Sequence, residues 1–187
     1  MQAAHWGEGM RRISLGELNE ADQELVKAAQ AASARAYAPY SGFAVGSAVR
    51  SASKKVYTGA NLENASYGVT MCGEVSALTR ANAEGDFDIE AIAVVGHKFT
   101  EPADASQIVT PCGRCRQLIA EAAQLAKHDV RVLSCNGELT KIVEATISEL
   151  LPEAFGPANL GVVDIWPKSR EKLRVRTKQL IAKHGRL

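Results

Sequence analysis

The segments CGE at residues 72–74 and PCGRC at residues 111–115 decide how this chain is interpreted. They supply thiols from Cys72, Cys112 and Cys115 and, two residues after the first thiol, the carboxyl group of Glu74. Catalytic zinc has three protein ligands and keeps its fourth position for water, whereas structural zinc is enclosed by four. The pattern therefore predicts an open zinc site in which Glu74 carries protons for a reaction of water.

The residues around each segment predict the start of a helix. Thr70 is typical of an N-cap for a helix that continues to about residue 83. Thr110 is a second candidate N-cap, with Pro111 at the favoured first position of a helix that continues to about residue 126. Cys112 and Cys115 are three residues apart and would share a helix face. Two helix N-termini directed at one site would stabilise thiolates.

Other uses of the cysteines stay open at this point. A C-x-x-C pair can be a redox pair, and four cysteines could form two disulfides or a closed structural metal site. Residues 1–18 show no secretory signal, so we expect a cytoplasmic protein, in which metal binding or catalysis is commoner than disulfides. The fourth thiol, Cys135, lies in a strand-like run without a partner motif, which favours the site with three ligands.

Alternating helical and strand patterns predict an α/β fold in one globular domain. We expect a helix from Asn19 to about residue 36, a short one from Ser148 to about residue 155, and strands at 43–49, 56–60, 89–95, 130–135 and 139–143. The apolar run at 89–95 is typical of a strand covered on both faces. The dipeptide NG at 136–137 predicts a hairpin, so the last two strands should be antiparallel.

Together these segments resemble the cytidine deaminases of the small three-cysteine class. A ligand followed by x-E and later by P-C-x-x-C is the signature of zinc deaminases that act on nucleobases. The likeness spans about residues 22–165 and is carried by APYSGFAVG (38–46), NLENASYG (61–68), the two cysteine segments, CRQ (115–117) and LLPEAF (150–155). It implies a three-layer α/β/α sandwich with a mixed five-stranded sheet, one zinc ion per subunit, and a homotetramer with shared active sites.

The same resemblance implies the reaction and the residues that hold the substrate. The reaction is the hydrolytic deamination of cytidine and deoxycytidine to uridine and deoxyuridine, a step of pyrimidine salvage. Asn61 and Glu63 match the pair that hydrogen-bonds the ribose 3′-hydroxyl group, and Phe43 matches an aromatic residue that packs on the pyrimidine. Without the family match, Asn61 and Glu63 would fit an Asx-type turn, and Phe43 would fit ordinary core.

Three further matches concern subunit contacts. Ala65 and Tyr67 match positions that reach the 5′-hydroxyl group of the substrate across an interface. Phe155 matches an aromatic residue contributed by a neighbouring subunit, although ordinary core is an equally good interpretation from the sequence. The resemblance thus places these residues in the substrate site of an assembled protein.

Two positions depart from the family pattern. Gly73 stands where the family usually has Ala, and the resemblance directs its backbone N–H group at the pyrimidine O2. The missing methyl group is expected to leave room beside the base, which keeps open a deaminase of a modified cytosine nucleoside or a nucleoside antibiotic. Val75 stands where the family often has an Arg that offsets the thiolate charge, so Arg116 is expected to serve instead. A non-catalytic zinc-binding protein is disfavoured because Glu74 is present.

Charge is distributed unevenly along the chain. Residues 168–187 hold eight Lys and Arg against one Glu, whereas residues 1–167 hold fourteen against twenty acidic residues. We therefore divide the chain into an N-terminal extension (1–18), a zinc-dependent deaminase domain (19–167) and a basic, helical C-terminal extension (168–187). An acidic body disfavours a nucleic-acid deaminase, which needs a basic channel. The extension is expected to pack on that body or on a sister subunit, and no apolar run reaches the ~18 residues of a membrane span.

Overall fold

The computed structural model describes residues 9–99 and 107–184. Its helices are α1 (Glu20–Ser33), α2 (Gly73–Ala83), α3 (Gly113–Ala126), α4 (Ile147–Leu150) and α5 (Val162–His184). Its strands are β1 (Arg11–Ile13), β2 (Phe43–Ser51), β3 (Val56–Ala60), β4 (Ile89–Lys98), β5 (Arg131–Asn136) and β6 (Ile142–Thr146). The chain divides into two compact units, Met1–Ala154 and Phe155–Leu187. The second unit contains α5, which begins at Val162, whereas the predicted helical extension begins at residue 168. The boundaries predicted for the deaminase domain and its two extensions remain untested.

The first unit contains a mixed sheet with the strand order β1-β6-β5-β4-β2-β3. β4 and β5 are parallel, and the other neighbouring strands are antiparallel, including β5 and β6, whose antiparallel pairing was predicted. β6 begins three residues later than the predicted strand 139–143, because Leu139 still belongs to the turn and bonds back to Asn136. In the described part of the chain the sheet has six strands, so the prediction of five was wrong. The sixth is β1, whose sequence Arg-Arg-Ile has no apolar alternation; it is held at the edge by pairing with β6 and by an ion pair between Arg11 and Glu144.

Helices cover both faces of the sheet. On one face, Leu25 and Val26 of α1 pack with Ala91, Ala93 and other residues of β4, which are all fully buried. On the other face, Ile92 of β4 packs with residues of α2 and α3. The apolar run in β4 is therefore covered on both sides, as predicted, and the three-layer α/β/α sandwich is confirmed.

Two glycines allow helices to lie unusually close to the sheet. A β-carbon at Gly46 in β2 would lie 2.0 Å from the carbonyl oxygen of Ala29 in α1. A β-carbon at Gly59 in β3 would lie 2.3 Å from the backbone nitrogen of Ala77 in α2. Since no other residue lacks this atom, glycine at these positions fixes the depth at which α1 and α2 pack. The start of α2, which carries two of the predicted site residues, is positioned by this contact.

A buried ion pair joins α1 to the sheet. Asp22 is fully buried, and its carboxylate oxygens lie 2.8 Å from Nη1 of Arg50 and 2.8 Å from Nη1 of Arg131. Burial alone would raise its pKa, but the hydrogen bonds from the two arginines hold the pKa of Asp22 below its usual value. The backbone N–H group of Asp22 also donates to Asn19, which confirms Asn19 as the N-cap of α1.

We expect Asp22→Asn to lower the free energy of unfolding by about 3 kcal/mol, because Arg50 and Arg131 lose the fully buried carboxylate between them and keep only the more exposed Glu90 and Glu144. Urea unfolding followed by circular dichroism at neutral pH measures the change. The ionised carboxylate stabilises the fold above its pKa in the unfolded chain, and that contribution is lost as the pH falls through its lower pKa in the folded chain. Glu20→Gln, an exposed residue of the same helical turn, is the matched control and should change stability by less than ~0.5 kcal/mol. Equal effects of the two variants would contradict the prediction.

Candidate metal centre and active site

The two zinc segments form the starts of α2 and α3, and both helices begin with the dipeptide Cys-Gly. Cys72 and Cys112 are the N-cap residues, with extended backbone angles (φ −72°, ψ 155° and φ −69°, ψ 170°). The prediction of two helix N-termini at one site is confirmed, but the predicted N-caps Thr70 and Thr110 were wrong by two residues. Thr70 instead accepts a hydrogen bond from the backbone of Asn64. Neither cysteine caps its own helix through its side chain, so both thiols are available to a ligand.

Cys115, at the third position of α3, completes a cluster of three thiols. The Sγ atom of Cys112 lies 3.9 Å from that of Cys72 and 3.6 Å from that of Cys115, and all three lie within 4.8 Å of one another. A tetrahedral zinc ion with Zn–S bonds of ~2.3 Å places its sulfur ligands about 3.8 Å apart. Both the donor set and its spacing therefore fit zinc.

The fourth cysteine is not part of this cluster. Cys135 is fully buried in β5, and burial raises the pKa of its thiol to about 12. All four cysteines lie in the described part of the chain, and each is a free thiol, so the structure shows no disulfide among them. Within the described residues, the group able to hold a metal comprises Cys72, Cys112 and Cys115.

The thiols of the cluster influence one another. A hydrogen bond from Cys115 is the main factor that lowers the pKa of Cys72 to about 6, and Cys112 and the charge of Arg114 act in the same direction. The same contact with Cys72, together with burial, raises the pKa of Cys115. One thiolate forms readily because its neighbours donate hydrogen bonds to it, whereas ionising all three calls for a bound cation.

Glu74 is the second residue of α2, and only 3% of its surface is exposed. Burial is the main factor that raises the pKa of its carboxyl group to about 7; the charge of Cys72 acts in the same direction, and a hydrogen bond with Cys115 opposes them. These interactions place the carboxyl group beside the thiol cluster. A buried carboxyl group in that position can both take up and return a proton without being a ligand.

The missing methyl group of Gly73 does not open space beside a substrate. A β-carbon at this position would lie 3.1 Å from the carbonyl oxygen of Val45 and 3.5 Å from the backbone nitrogen of Ser47, both in β2. The expectation that Gly73 leaves room for an enlarged cytosine is therefore wrong, because a methyl group at this position would point at β2. The structural argument for modified cytosine nucleosides is removed with it.

Asn61 and Glu63 lie in the loop between β3 and α2 and bind the backbone before and within β2. The side chain of Asn61 accepts from the N–H group of Val45 (2.9 Å) and donates to the carbonyl oxygen of Phe43 (3.0 Å). Glu63 accepts from the N–H groups of Tyr40 (2.9 Å) and Ser41 (3.2 Å). Hydrogen bonds, chiefly from the Ser41 side chain, lower the pKa of Glu63, so it is a carboxylate at neutral pH. Neither residue forms the Asx-type turn that the sequence alone suggests.

A short backbone pairing connects this loop to the metal centre. Leu62 and Met71 exchange two hydrogen bonds of 2.9 Å, one residue after Asn61 and one residue before Cys72. A cavity of about 370 Å³ opens on the same loop and is lined by Tyr40, Ser41, Glu63, Tyr67 and Thr70. We call this the loop cavity. It contains two of the predicted substrate residues, Glu63 and Tyr67, and its wall includes Thr70, which lies two residues before Cys72.

The other predicted substrate residues lie elsewhere. Phe43 begins β2, and its ring lies against Gly96 of β4, where it would contact any added β-carbon at 2.7 Å. Ala65 is exposed in the loop that follows β3. Phe155 is exposed and begins the second compact unit. Their roles toward a substrate stay predictions.

Two arginines lie near the start of α3. Arg116, expected to offset the thiolate charge, donates to the carbonyl oxygens of Pro111 (2.9 Å) and Leu150 (3.0 Å), and its role toward the thiolates stays a prediction. Arg114 was missed. Arg114 is the arginine that reaches toward Cys72, since it bonds the carbonyl oxygen of Thr70 at 3.2 Å. The available signal was its place between the two cysteines of the C-x-x-C segment, which puts it in the first turn of α3.

In the described part of the chain, no helix combines the length and the apolar character that a membrane crossing needs. Residues 19–128 match the model of the cytidine and deoxycytidylate deaminase zinc-binding region. The chain is 47% identical over 133 residues to a cytidine deaminase of Halalkalibacterium halodurans, an alignment that covers 71% of this chain and 92% of the relative. It is 37% identical over 129 residues to a cytidine deaminase of Mycobacterium tuberculosis, covering 67% of this chain and 82% of the relative.

A similar structure is the crystal structure of a cytidine deaminase from Burkholderia pseudomallei, with a TM-score of 0.62 and 38% sequence identity. The match covers 74% of this chain and 100% of the other, so the remaining part of this chain has no counterpart there. Zinc is the cofactor of the matching region, and the three-cysteine cluster lies within it. The chain thus belongs to the cytidine and deoxycytidylate deaminase family.

Proposed function

We propose that the protein catalyses the hydrolytic deamination of cytidine and deoxycytidine, in which water is consumed and uridine or deoxyuridine and ammonia are released. The observation that carries the proposal is a thiol cluster with the spacing of zinc ligands beside the buried carboxyl group of Glu74. Cys72, Cys112 and Cys115 would hold one zinc ion per subunit, which would supply water with a pKa near neutrality as the nucleophile.

The residues at the start of α2 perform the proton transfer and help to orient the base. Water adds to C4 of the pyrimidine, and the amino group leaves as ammonia, so protons have to move from the water to N3 of the ring and to the leaving nitrogen. Glu74 takes up and delivers these protons. The backbone N–H group of Gly73, in the first turn of α2, has no acceptor within the helix and is assigned to the pyrimidine O2. Phe43 is assigned to packing on the ring.

A direct assay tests the proposal. The zinc-loaded protein is incubated with cytidine, deoxycytidine, free cytosine and a single-stranded DNA containing cytosine, and the products are separated by chromatography. We expect stoichiometric uridine and ammonia from cytidine, the corresponding products from deoxycytidine, and little conversion of the other two. Failure to convert either nucleoside while zinc is bound would refute the proposed function.

Asn61 and Glu63 are proposed to bind the ribose 3′-hydroxyl group. A carboxylate can accept about four hydrogen bonds, which is more than Tyr40 and Ser41 supply to Glu63 through their backbones. Its position in the wall of the loop cavity supports this assignment. The bonds to Val45 and Phe43 hold the side chain of Asn61 in one orientation, so little freedom is lost when it meets a hydroxyl group.

We expect Glu63→Gln to raise the KM for cytidine about tenfold or more, because a hydrogen bond to a charged group contributes ~1.5–3 kcal/mol. The amide oxygen can still accept from the Tyr40 and Ser41 N–H groups, so the loop should keep its conformation. Steady-state kinetics on cytidine measure the effect, and Glu84→Gln, at the far end of α2, is the control. Free cytosine lacks the sugar and should be a poor substrate of the parent. Equal activity of the parent on cytosine and cytidine would remove both residues from sugar recognition.

The protein is further proposed to act as a homotetramer whose active sites are completed by neighbouring subunits. Large apolar side chains are exposed in the loop between β3 and α2 and at Tyr37, which pairs with it: Tyr37 by 53%, Leu62 by 55%, Tyr67 by 75% and Val69 by 58%. An exposed apolar patch of this kind is typical of an interface. In the assembly, Ala65 and Tyr67 would reach the 5′-hydroxyl group bound by another subunit, and Phe155 would cover a neighbouring site. Light scattering of the purified protein should give the mass of four chains.

We place the protein in the cytoplasm, in pyrimidine salvage. Three thiols within 4.8 Å of one another would tend to form disulfides in an oxidising compartment, whereas a reducing one keeps them available to zinc. Free nucleosides released by nucleic-acid turnover are the substrates of such a pathway.

A further inference from the structure

The side chain of Arg114 joins the two segments that supply the zinc ligands. Arg114 is the second residue of α3, the position that Glu74 occupies in α2. Its Nη1 atom donates to the carbonyl oxygen of Thr70 at 3.2 Å, and its Nη2 atom lies 3.4 Å from Sδ of Met71. Both contacts fall on the residues immediately before Cys72. The guanidinium group therefore connects the C-x-x-C segment to the segment that carries the other ligand.

Arg114 also places a positive charge close to a metal centre that would be negatively charged. Three thiolates around a doubly charged cation leave a net negative charge, which a nearby positive charge stabilises. Arg116 is engaged with Pro111 and Leu150, and Val75, in the first turn of α2, is apolar and buried. Arg114 stands between the two cysteines of the C-x-x-C segment and bonds the two residues before Cys72, so its positive charge is held beside the segments that supply the ligands.

We propose that Arg114 is a positioning residue of the metal centre, which holds the Cys72 segment against the C-x-x-C segment and places a positive charge beside the ligands. A planar guanidinium group can bond two adjacent residues at once, whereas a lysine ammonium group would supply the charge without the paired contacts. The inference rests on the proposed function for the identity of the metal, and it is independent of the substrate.

Zinc affinity is the appropriate measurement, because it does not depend on turnover. The parent, Arg114→Gln, Arg114→Lys and the control Arg80→Gln are titrated with zinc in competition with a chromogenic chelator at neutral pH and at low and high ionic strength. Arg80 is an exposed arginine near the other end of α2 and bonds only distantly to the hydroxyl group of Thr58 (3.5 Å), so its loss reports on general charge effects. Thermal unfolding of the zinc-free proteins shows whether each variant is folded.

We expect Arg114→Gln to bind zinc about tenfold more weakly than the parent, within the ~10- to 100-fold that residues supporting metal ligands contribute. Arg114→Lys should recover part of this loss at low ionic strength and less of it at high ionic strength, because only the charge is restored. Arg80→Gln should bind like the parent. Zinc binding by Arg114→Gln within twofold of the parent would overturn the inference, as would an equal loss in Arg80→Gln. Absence of zinc binding by the parent would instead refute the proposed function.

Discussion

Glu74→Gln should keep the fold and the bound zinc and yet lower kcat on cytidine by at least ~100- to 10,000-fold, the usual contribution of a general acid–base group. The amide has nearly the same volume as the carboxyl group, so it fills the same buried space at the start of α2. It cannot, however, take a proton from water and return it to the pyrimidine. Steady-state kinetics on cytidine measure the loss of kcat, and zinc analysis of the same preparation shows whether the metal is retained.

The control for this variant is Glu84→Gln, which makes the same chemical change at the other end of the helix. It should leave kcat on cytidine unchanged. An activity of Glu74→Gln within tenfold of the parent would remove Glu74 from the mechanism. Loss of zinc by this variant would show that the carboxyl group has a structural role in the metal site.

Serine at any of the three clustered cysteines should abolish stoichiometric zinc binding. Replacing a thiolate removes a direct ligand, and the loss should exceed the ~10- to 100-fold reduction in affinity caused by residues that merely support the ligands. The effect should be clearest for Cys115, which is fully buried and which no water can easily replace. Metal analysis after dialysis, with the chelator competition described above, measures it.

Cys135→Ser is the matched control, because it is the same substitution at a buried cysteine outside the cluster. It should cost ~1–3 kcal/mol of stability, since a hydroxyl group is buried among apolar neighbours, and it should retain zinc. If Cys135→Ser lost zinc as completely as the other three variants, the open site with three ligands would be wrong.

Features that depend on local pattern could be predicted from the sequence. The apolar run of β4, the turn after Asn136 and the Asn19 cap of α1 each follow from neighbouring residues, and each is present. The cluster of three thiols could be predicted as well, because a cysteine followed by x-E and later by P-C-x-x-C is the signature of a zinc deaminase site.

Features that depend on distant partners could not. β1 is a strand only because β6 offers it an edge, and its two arginines hide any strand pattern. The direction of a β-carbon at Gly73 depends on how closely α2 approaches β2, which no local pattern reports. Arg114 and Arg116 are two residues apart in sequence, but Arg114 bonds Thr70 before α2 whereas Arg116 bonds Leu150 in α4, and no local pattern reports these distant partners.

The pairing of Leu62 with Met71 has a consequence for which molecules fit. The two hydrogen bonds join the ends of the loop between Asn61 and Cys72. Glu63 follows Leu62 and Cys72 follows Met71, so this backbone pairing fixes the distance between Glu63 and the thiol cluster. A ligand that touches both would have to match that span, as we propose for a base joined to a single sugar. Because the span exists before binding, a molecule of the right length loses no affinity to loop ordering, and a shorter one gains from only one end.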